Sequence, residues 1–316
     1  MGARCGAPSL GALGNSYLEP GGWQLSVAHR WLHSDRHFIG GVEQKQREQQ
    51  GSQIINDVHT VDFTTTYGIT PRFSLGLTLP FIYARRSGAL DRANDHDITA
   101  AGLGDVRLAT TVWVLDPVKH VDGNFAFGGG IKAPTGDYEA RDIRYRSRTI
   151  GGIPTVVAEE GYVDRSIQPG DGGWGVLLEA QGFQKVFDKT FAYASATYLI
   201  NPREKIPSTQ NSVWDAYLLR IGLSYAIWPS KGLALSLGGR MEGVPSTDWF
   251  GGSSGGRRPG YSIGIEPGIT WTHGKFSINV TAPVALENNR ERNFAGTPGD
   301  AAFADYLIIS SIAYRF

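Results

Sequence analysis

The chain has 316 residues, enough for one large domain or two ordinary ones. Its 42 glycines, 11% aromatic residues and only 19% charged residues argue against a soluble helical protein and for strands joined by turns. Thirty basic residues balance 30 acidic ones, which gives no support to a nucleic-acid partner and fits poorly with a small soluble domain.

Residues 1–21 are rich in Gly, Ala, Pro and Ser and are expected to be a flexible periplasmic leader or a segment folded into a lumen. Cys5 is the single cysteine, so no intramolecular disulfide is possible. Arg4 directly before it, without an apolar run, favours a free thiol over a lipid anchor. There is no basic-then-apolar signal at Met1, so secretion would require a signal that was cut off or replaced. No stretch approaches ~18 uninterrupted apolar residues, which excludes a transmembrane helix.

From residue 22 onward the pattern is alternation of period two over roughly ten-residue segments. Strands are predicted near 22–32, 57–68, 72–84, 104–115, 123–133, 173–186, 190–200, 214–228, 232–243, 260–271, 275–287 and 304–316. In the third, Phe73, Leu75, Leu77, Leu79, Phe81 and Tyr83 alternate with small or polar residues. The eighth has Tyr217, Leu219, Ile221, Leu223, Tyr225 and Ile227, and the tenth Tyr261, Ile263, Ile265, Ile269 and Trp271. Phe276, Ile278, Val280, Val284 and Leu286 follow, and the last run is Tyr306, Ile308, Ser310, Ile312, Tyr314 and Phe316. One face is thus aromatic at its ends and aliphatic between, as a membrane strand requires.

The opposite face is mostly Gly, Ala and Ser with isolated charges, which suits a confined wet lumen better than the solvated face of a soluble sandwich. Connections alternate between short ones, such as 68–71, 187–189, 229–231 and 272–274, and long ones near 33–56, 85–103, 134–172, 201–213, 244–259 and 288–303. That asymmetry matches periplasmic turns and extracellular loops. The expectation is an all-β, membrane-spanning, up-and-down antiparallel barrel of about 12 strands over residues 22–316, in a bacterial outer membrane.

Two motifs stand out in this frame. Gly102-Leu103-Gly104-Asp105-Val106-Arg107-Leu108 opens the fourth predicted strand, and Gly128-Gly129-Gly130-Ile131-Lys132-Ala133-Pro134-Thr135-Gly136-Asp137 closes the fifth. With Tyr67-Gly68-Ile69-Thr70-Pro71-Arg72-Phe73 and Leu79-Pro80-Phe81, they resemble the outer-membrane family named for a meta-pathway of phenol degradation. The resemblance covers about residues 57–137. It implies a Gram-negative outer-membrane barrel presumed to be a transporter, with no safely inherited substrate.

Lumen or constriction candidates are Arg30, Asp105, Arg107, Lys132, Glu179, Arg220, Arg240, Glu242 and Glu266. They are read either as structural charge pairs or as a selective constriction, and their mixed signs predict weak charge selectivity. Tyr314 and Phe316 resemble the C-terminal signal read by outer-membrane assembly machinery. His29, His33 and His37 would stack on a helix as metal ligands, but on a strand they read as an interface belt with Trp23 and Trp31. Asp91, Asp95 and Asp97 read as a solvated loop rather than a Ca²⁺ site. The Gly/Ser run 251–256 lacks the Lys-Ser/Thr of a phosphate loop and reads as a mobile extracellular loop. Arg141, Arg144, Arg146 and Arg148 read either as one face of an extended hairpin or as a site for lipopolysaccharide or an anionic solute. No G-x-S-x-G turn or convincing Ser-His-Asp spacing is present, so no enzyme activity, cofactor or metal is expected. The function expected is a channel for small molecules, with aromatic or hydrophobic compounds among the candidates. The alternative is a plugged structural or adhesion barrel acting through its long loops.

Overall fold

The computed structural model describes residues 12–13 and 17–316; Cys5 and most of the 1–21 segment lie outside the described residues. Twelve antiparallel strands close into one barrel. They are β1 (Trp23–Ser34), β2 (Ile55–Gly68), β3 (Phe73–Ser87), β4 (Ile98–Leu103 and Arg107–Trp113), β5 (Gly123–Lys132) and β6 (Gly175–Phe187). The circuit continues with β7 (Thr190–Ile200), β8 (Ala216–Trp228), β9 (Leu233–Val244), β10 (Gly260–His273), β11 (Phe276–Thr281 and Val284–Asn289) and β12 (Leu307–Arg315). Every strand pairs with its sequence neighbours. The ring closes where β1 pairs with β12, from Gln24↔Arg315 to Leu32↔Leu307. Closure leaves no free sheet edge, which is what allows a β-structure to sit in hydrocarbon.

The barrel is inside-out relative to a soluble protein. Ile221 is 68% exposed on the outer face while Glu266 is 2% exposed inside. Most of the alternating aliphatic and aromatic positions read from the sequence are exposed on the outer face, among them Leu77, Leu79, Phe81, Tyr83, Leu219, Leu223, Ile308 and Ile312. Aromatic groups gather at both ends of this outer band. Trp23 packs on Tyr67, and Phe276 on Tyr314, at the short-turn end. Trp31, Tyr306, His59 and Tyr83 contact one another at the long-loop end.

Two corrections concern strand limits. The predicted long connection 85–103 is shorter, because β3 runs to Ser87 and β4 starts at Ile98, pairing Arg86 with Ile98 and Phe81 with Leu103. Between them lies a short helix, Ala89–Ala93. In addition, β4 and β11 are each interrupted, and proline explains both breaks. Gly104, between the halves of β4, donates to the carbonyl of Pro80, a residue with no N–H to return. Pro283 sits in the gap of β11, where Ala282 donates to the carbonyl of Pro267 on β10.

The segment around His37, expected to be loop, forms strand Arg36–Ile39 in a small three-stranded sheet with Val42–Glu43 and Ala301–Phe303, separate from the barrel sheet. The long 134–172 connection holds a separate two-stranded hairpin, Arg141–Ile150 with Ile153–Tyr162. Its return limb, 163–172, turns into the mouth of the barrel. There Ile167 is fully buried against the inward-facing Ala84, Ile98 and Ala100.

Candidate functional site in the barrel lumen

Side-chain alternation decides what enters the lumen: residues two apart on a strand share a face. On β8 and β9 this places Arg220 directly opposite Arg240, a like-charge pairing that is unfavourable by itself. Glu266 on β10 relieves it. Its carboxylate accepts from Arg220 Nε at 3.2 Å and from Arg220 Nη2, and from Arg240 Nη1 at 3.1 Å. Arg240 Nη2 also donates to Glu242 at 2.8 Å. Arg30 on β1 reaches across the lumen to the same Glu242 at 3.5 Å.

The opposite wall repeats the arrangement. Arg107 on β4 and Lys132 on β5 are direct cross-strand partners. Arg107 donates to Asp62 on β2 at 2.8 Å, while Lys132 lies 3.7 Å from Asp105 and in close ion contact with Asp171. Asp105 also accepts the backbone N–H groups of Gly136 at 3.0 Å and Asp171 at 3.1 Å. The break in β4 is thereby tied to the loop above it. In a low-dielectric interior such carboxylates are needed because an isolated buried cation would be strongly destabilising.

All nine residues selected from the sequence therefore fall inside the barrel. Arg30, Asp105, Arg107, Lys132, Arg240 and Glu242 line one cavity of about 550 Å³ in the upper lumen, toward the long loops. Arg220 and Glu179 border a smaller one of about 50 Å³ with Gln181, Ser195 and Thr197. Glu266 is enclosed between the two arginines. The larger cavity has apolar walls as well, including Leu32, Val58, Ile82, Leu199, Trp214 and Val244.

Sequence reasoning missed what stands above and below. Above, the 163–172 segment crosses the mouth as a bar. Asp164 accepts from Arg258 Nη1 and Nη2 at 2.8 and 2.6 Å and lies 3.4 Å from Arg86 at the end of β3. Arg86 also donates to Asn56 at 2.8 Å and Ser166 at 3.1 Å. Burial alone would push the Asp164 carboxyl up, but the hydrogen bonds and charges of Arg258 and Arg86 hold it well below the usual carboxylate range. The neighbouring Arg165 guanidinium is lowered to about 9, first by burial and then by the charge of Arg258. Below, Trp113, Ala126 and Tyr193 are buried together at the short-turn end, with Phe183 and the pre-barrel Tyr17 packed against them. Asp62 sat on the small-residue face of a recognisable strand and was within reach of alternation; Asp164, Arg258 and Trp214 lie in connections, where no period fixes side-chain direction.

The remaining candidates do not converge. His29 and His33 lie on the outer face of β1, where His29 contacts His59 at 3.0 Å and His33 contacts Asp57 at 2.9 Å. His37 is buried elsewhere, 2.7 Å from Asp300. Among the described residues no group of three or more His, Cys, Asp or Glu side chains is placed to hold a metal ion. Asp91 caps its own helix through the N–H of Gly88 at 2.9 Å, and Asp97 faces Arg85 at 3.8 Å. The 251–256 run packs on the 201–215 connection, with Gly256 bonded to Gln210 and Ser212.

No protein-family model matches the chain, and no curated protein sequence matches it. Among solved structures it is similar to the COG4313 outer membrane channel from Pseudomonas putida F1, with 13% identity, a TM-score of 0.63, and coverage of 98% of this chain and 99% of that one. It is also similar to the beta domain of the Bordetella autotransporter BrkA, at 13% identity and a TM-score of 0.50, covering 94% and 100%. Both likenesses are of fold: an outer-membrane type of closed barrel.

Proposed function

We propose that this protein is an outer-membrane channel that passes small molecules through its lumen. The observation that carries the reading is an apolar outer band around a charged interior that encloses a 550 Å³ cavity. A band of that kind is stable only in lipid, and the lumen is then the one wet route across it. The short turns face the periplasm and the long loops the outside. Arg30, Asp105, Arg107, Lys132, Glu179, Arg220, Arg240, Glu242 and Glu266 form the constriction. Five cations and four anions within that set, joined by Asp62, leave the constriction close to neutral, which supports weak charge selectivity. The apolar walls suit aromatic or otherwise hydrophobic solutes of modest size. Lipopolysaccharide around the long-loop end, and assembly machinery reading Tyr314 and Phe316, are the partners proposed with it.

A second reading, a plugged structural barrel, is favoured by the bar across the mouth and by Tyr17 in the lower aromatic cluster. Planar-bilayer recording separates the two. A channel gives discrete current steps that grow when residues 1–17 are deleted. No current from either form, with the protein shown to be inserted, would sink the channel reading.

A further inference from the structure

Arg30, Arg165 and Arg240, which line the large cavity, each keep a buried Nε–H without a hydrogen-bond partner among the described residues. Two of them share carboxylates: Arg30 with Glu242, and Arg240 with Glu242 and Glu266. Arg165 is different. Among the described residues, its terminal nitrogens donate only to backbone carbonyls, of Ser212 at 2.7 Å and of Gly256, and no carboxylate contacts it. Its guanidinium lies flat over Trp214, 3.8 Å from the ring centroid, and Trp214 lines the same cavity. The surrounding mouth also gathers Arg86 and Arg258, which share the carboxylate of Asp164, with Asp171 and Asp300 further along the cavity wall.

A guanidinium held by carbonyls rather than by a carboxylate, beside an aromatic face and apolar walls, is the chemistry that retains a compact organic acid. A carboxylate drawn to the Arg165 guanidinium would gain a charge-assisted hydrogen bond once a small shift of the side chain uncovers its Nε–H, and an apolar or aromatic body would rest on Leu199, Ile206 and Trp214. From this arrangement we infer that the upper cavity is a binding site for small organic anions, a single carboxylate on an apolar or aromatic body, anchored by Arg165. This rests on the channel reading and names its solute class. A neutral solute of the same shape would keep the apolar contacts and lose the anchor. A cationic one would meet the charge of Arg165.

The test is calorimetric binding to the detergent-solubilised protein, which does not require conduction, paired with current block in planar bilayers. The probes are benzoate, benzyl alcohol and benzylammonium. Benzoate should bind about tenfold more tightly than benzyl alcohol, the ratio expected for one charge-assisted hydrogen bond, with benzylammonium weakest. Arg165→Gln should abolish that preference, Arg165→Lys should retain part of it, and Lys119→Gln in the exposed turn at the opposite end of the barrel should leave it intact. Equal binding of the three probes to the native protein would overturn the inference, whether or not Arg165→Gln folds. So would an unchanged preference in a folded Arg165→Gln protein. Benzoate binding without any channel current would leave the site standing and remove the channel.

Discussion

At the scale of single residues, the interior is governed by one recurring device: two cations opposed across a strand pair, neutralised by a carboxylate from a neighbouring element. Glu266 is the clearest case, serving both Arg220 and Arg240. Glu266→Gln leaves two buried guanidiniums facing each other with one weak acceptor. It should cost about 3–5 kcal/mol, the range for breaking a buried ion pair from one side, seen as a lower urea midpoint for unfolding in detergent. Glu242→Gln should cost less, because Arg240 retains Glu266 and Arg30 approaches only to 3.5 Å. Surviving Glu266→Gln channels should shift toward anion preference, read as reversal potential in a salt gradient. These residues were legible in the sequence because a lone charge on the small-residue face of an alternating strand has one place to go. Arg165 and Asp164 were not, since irregular backbone carries no such rule.

At the scale of elements, the bar at 163–172 is the piece whose stability is separable from that of the barrel. Its apolar end is Ile167 and its polar end is Asp164, held by Arg86 and Arg258. Asp164→Asn should remove the charge while keeping the shape, raising mean conductance or flicker while the folded barrel persists in heat-modifiability gels. The pH dependence follows from the direction of the Asp164 shift. A carboxyl depressed in the folded state contributes stability fully above its unfolded value, about 3.9, and loses it as pH falls through the lower folded value. Acidification from pH 7 to about 5 should therefore leave the Asp164 end of the bar in place, and its release should begin only below about pH 4. Loss of the Asp164–Arg258 contact already near pH 6 would show that another group holds that end. The interruptions of β4 and β11 escaped the sequence reading for a related reason. Alternation reports which face a side chain takes, whereas Pro80 and Pro283 act on ladder hydrogen bonds without disturbing that period.

At the scale of the whole molecule, strand number, order and facing were largely readable from residues 22–316, because lipid outside and water inside impose one rule on every strand. The bar, the small sheet that includes Arg36–Ile39, and the aromatic floor were not, since they depend on contacts between distant segments. Closure of the ring rests on β1 and β12, where Trp23 and Phe316 exchange backbone hydrogen bonds of 2.8 and 2.9 Å. Deleting Phe316 should lower the folded, membrane-inserted fraction more than it lowers the current of channels that do insert. Normal insertion of that truncation would count against the assembly role proposed for Tyr314 and Phe316.

That same seam has a kinetic consequence. Eleven of the strand pairings join neighbours along the chain, but β1 must find β12 across nearly its entire length. Loop closure over ~290 residues costs about 3 kcal/mol more than closing a ~14-residue hairpin. The seam is therefore expected to zip last during assembly and to part first under stress. Arg30 sits on one of its strands and holds Glu242 on the far wall, so this cross-lumen contact can form only once the cylinder is complete. Pulsed hydrogen exchange during refolding should find the amides of Trp23–Leu32 protected on the β12 side after those of the β2–β3 hairpin. Simultaneous protection would mean that the cylinder closes in one concerted step.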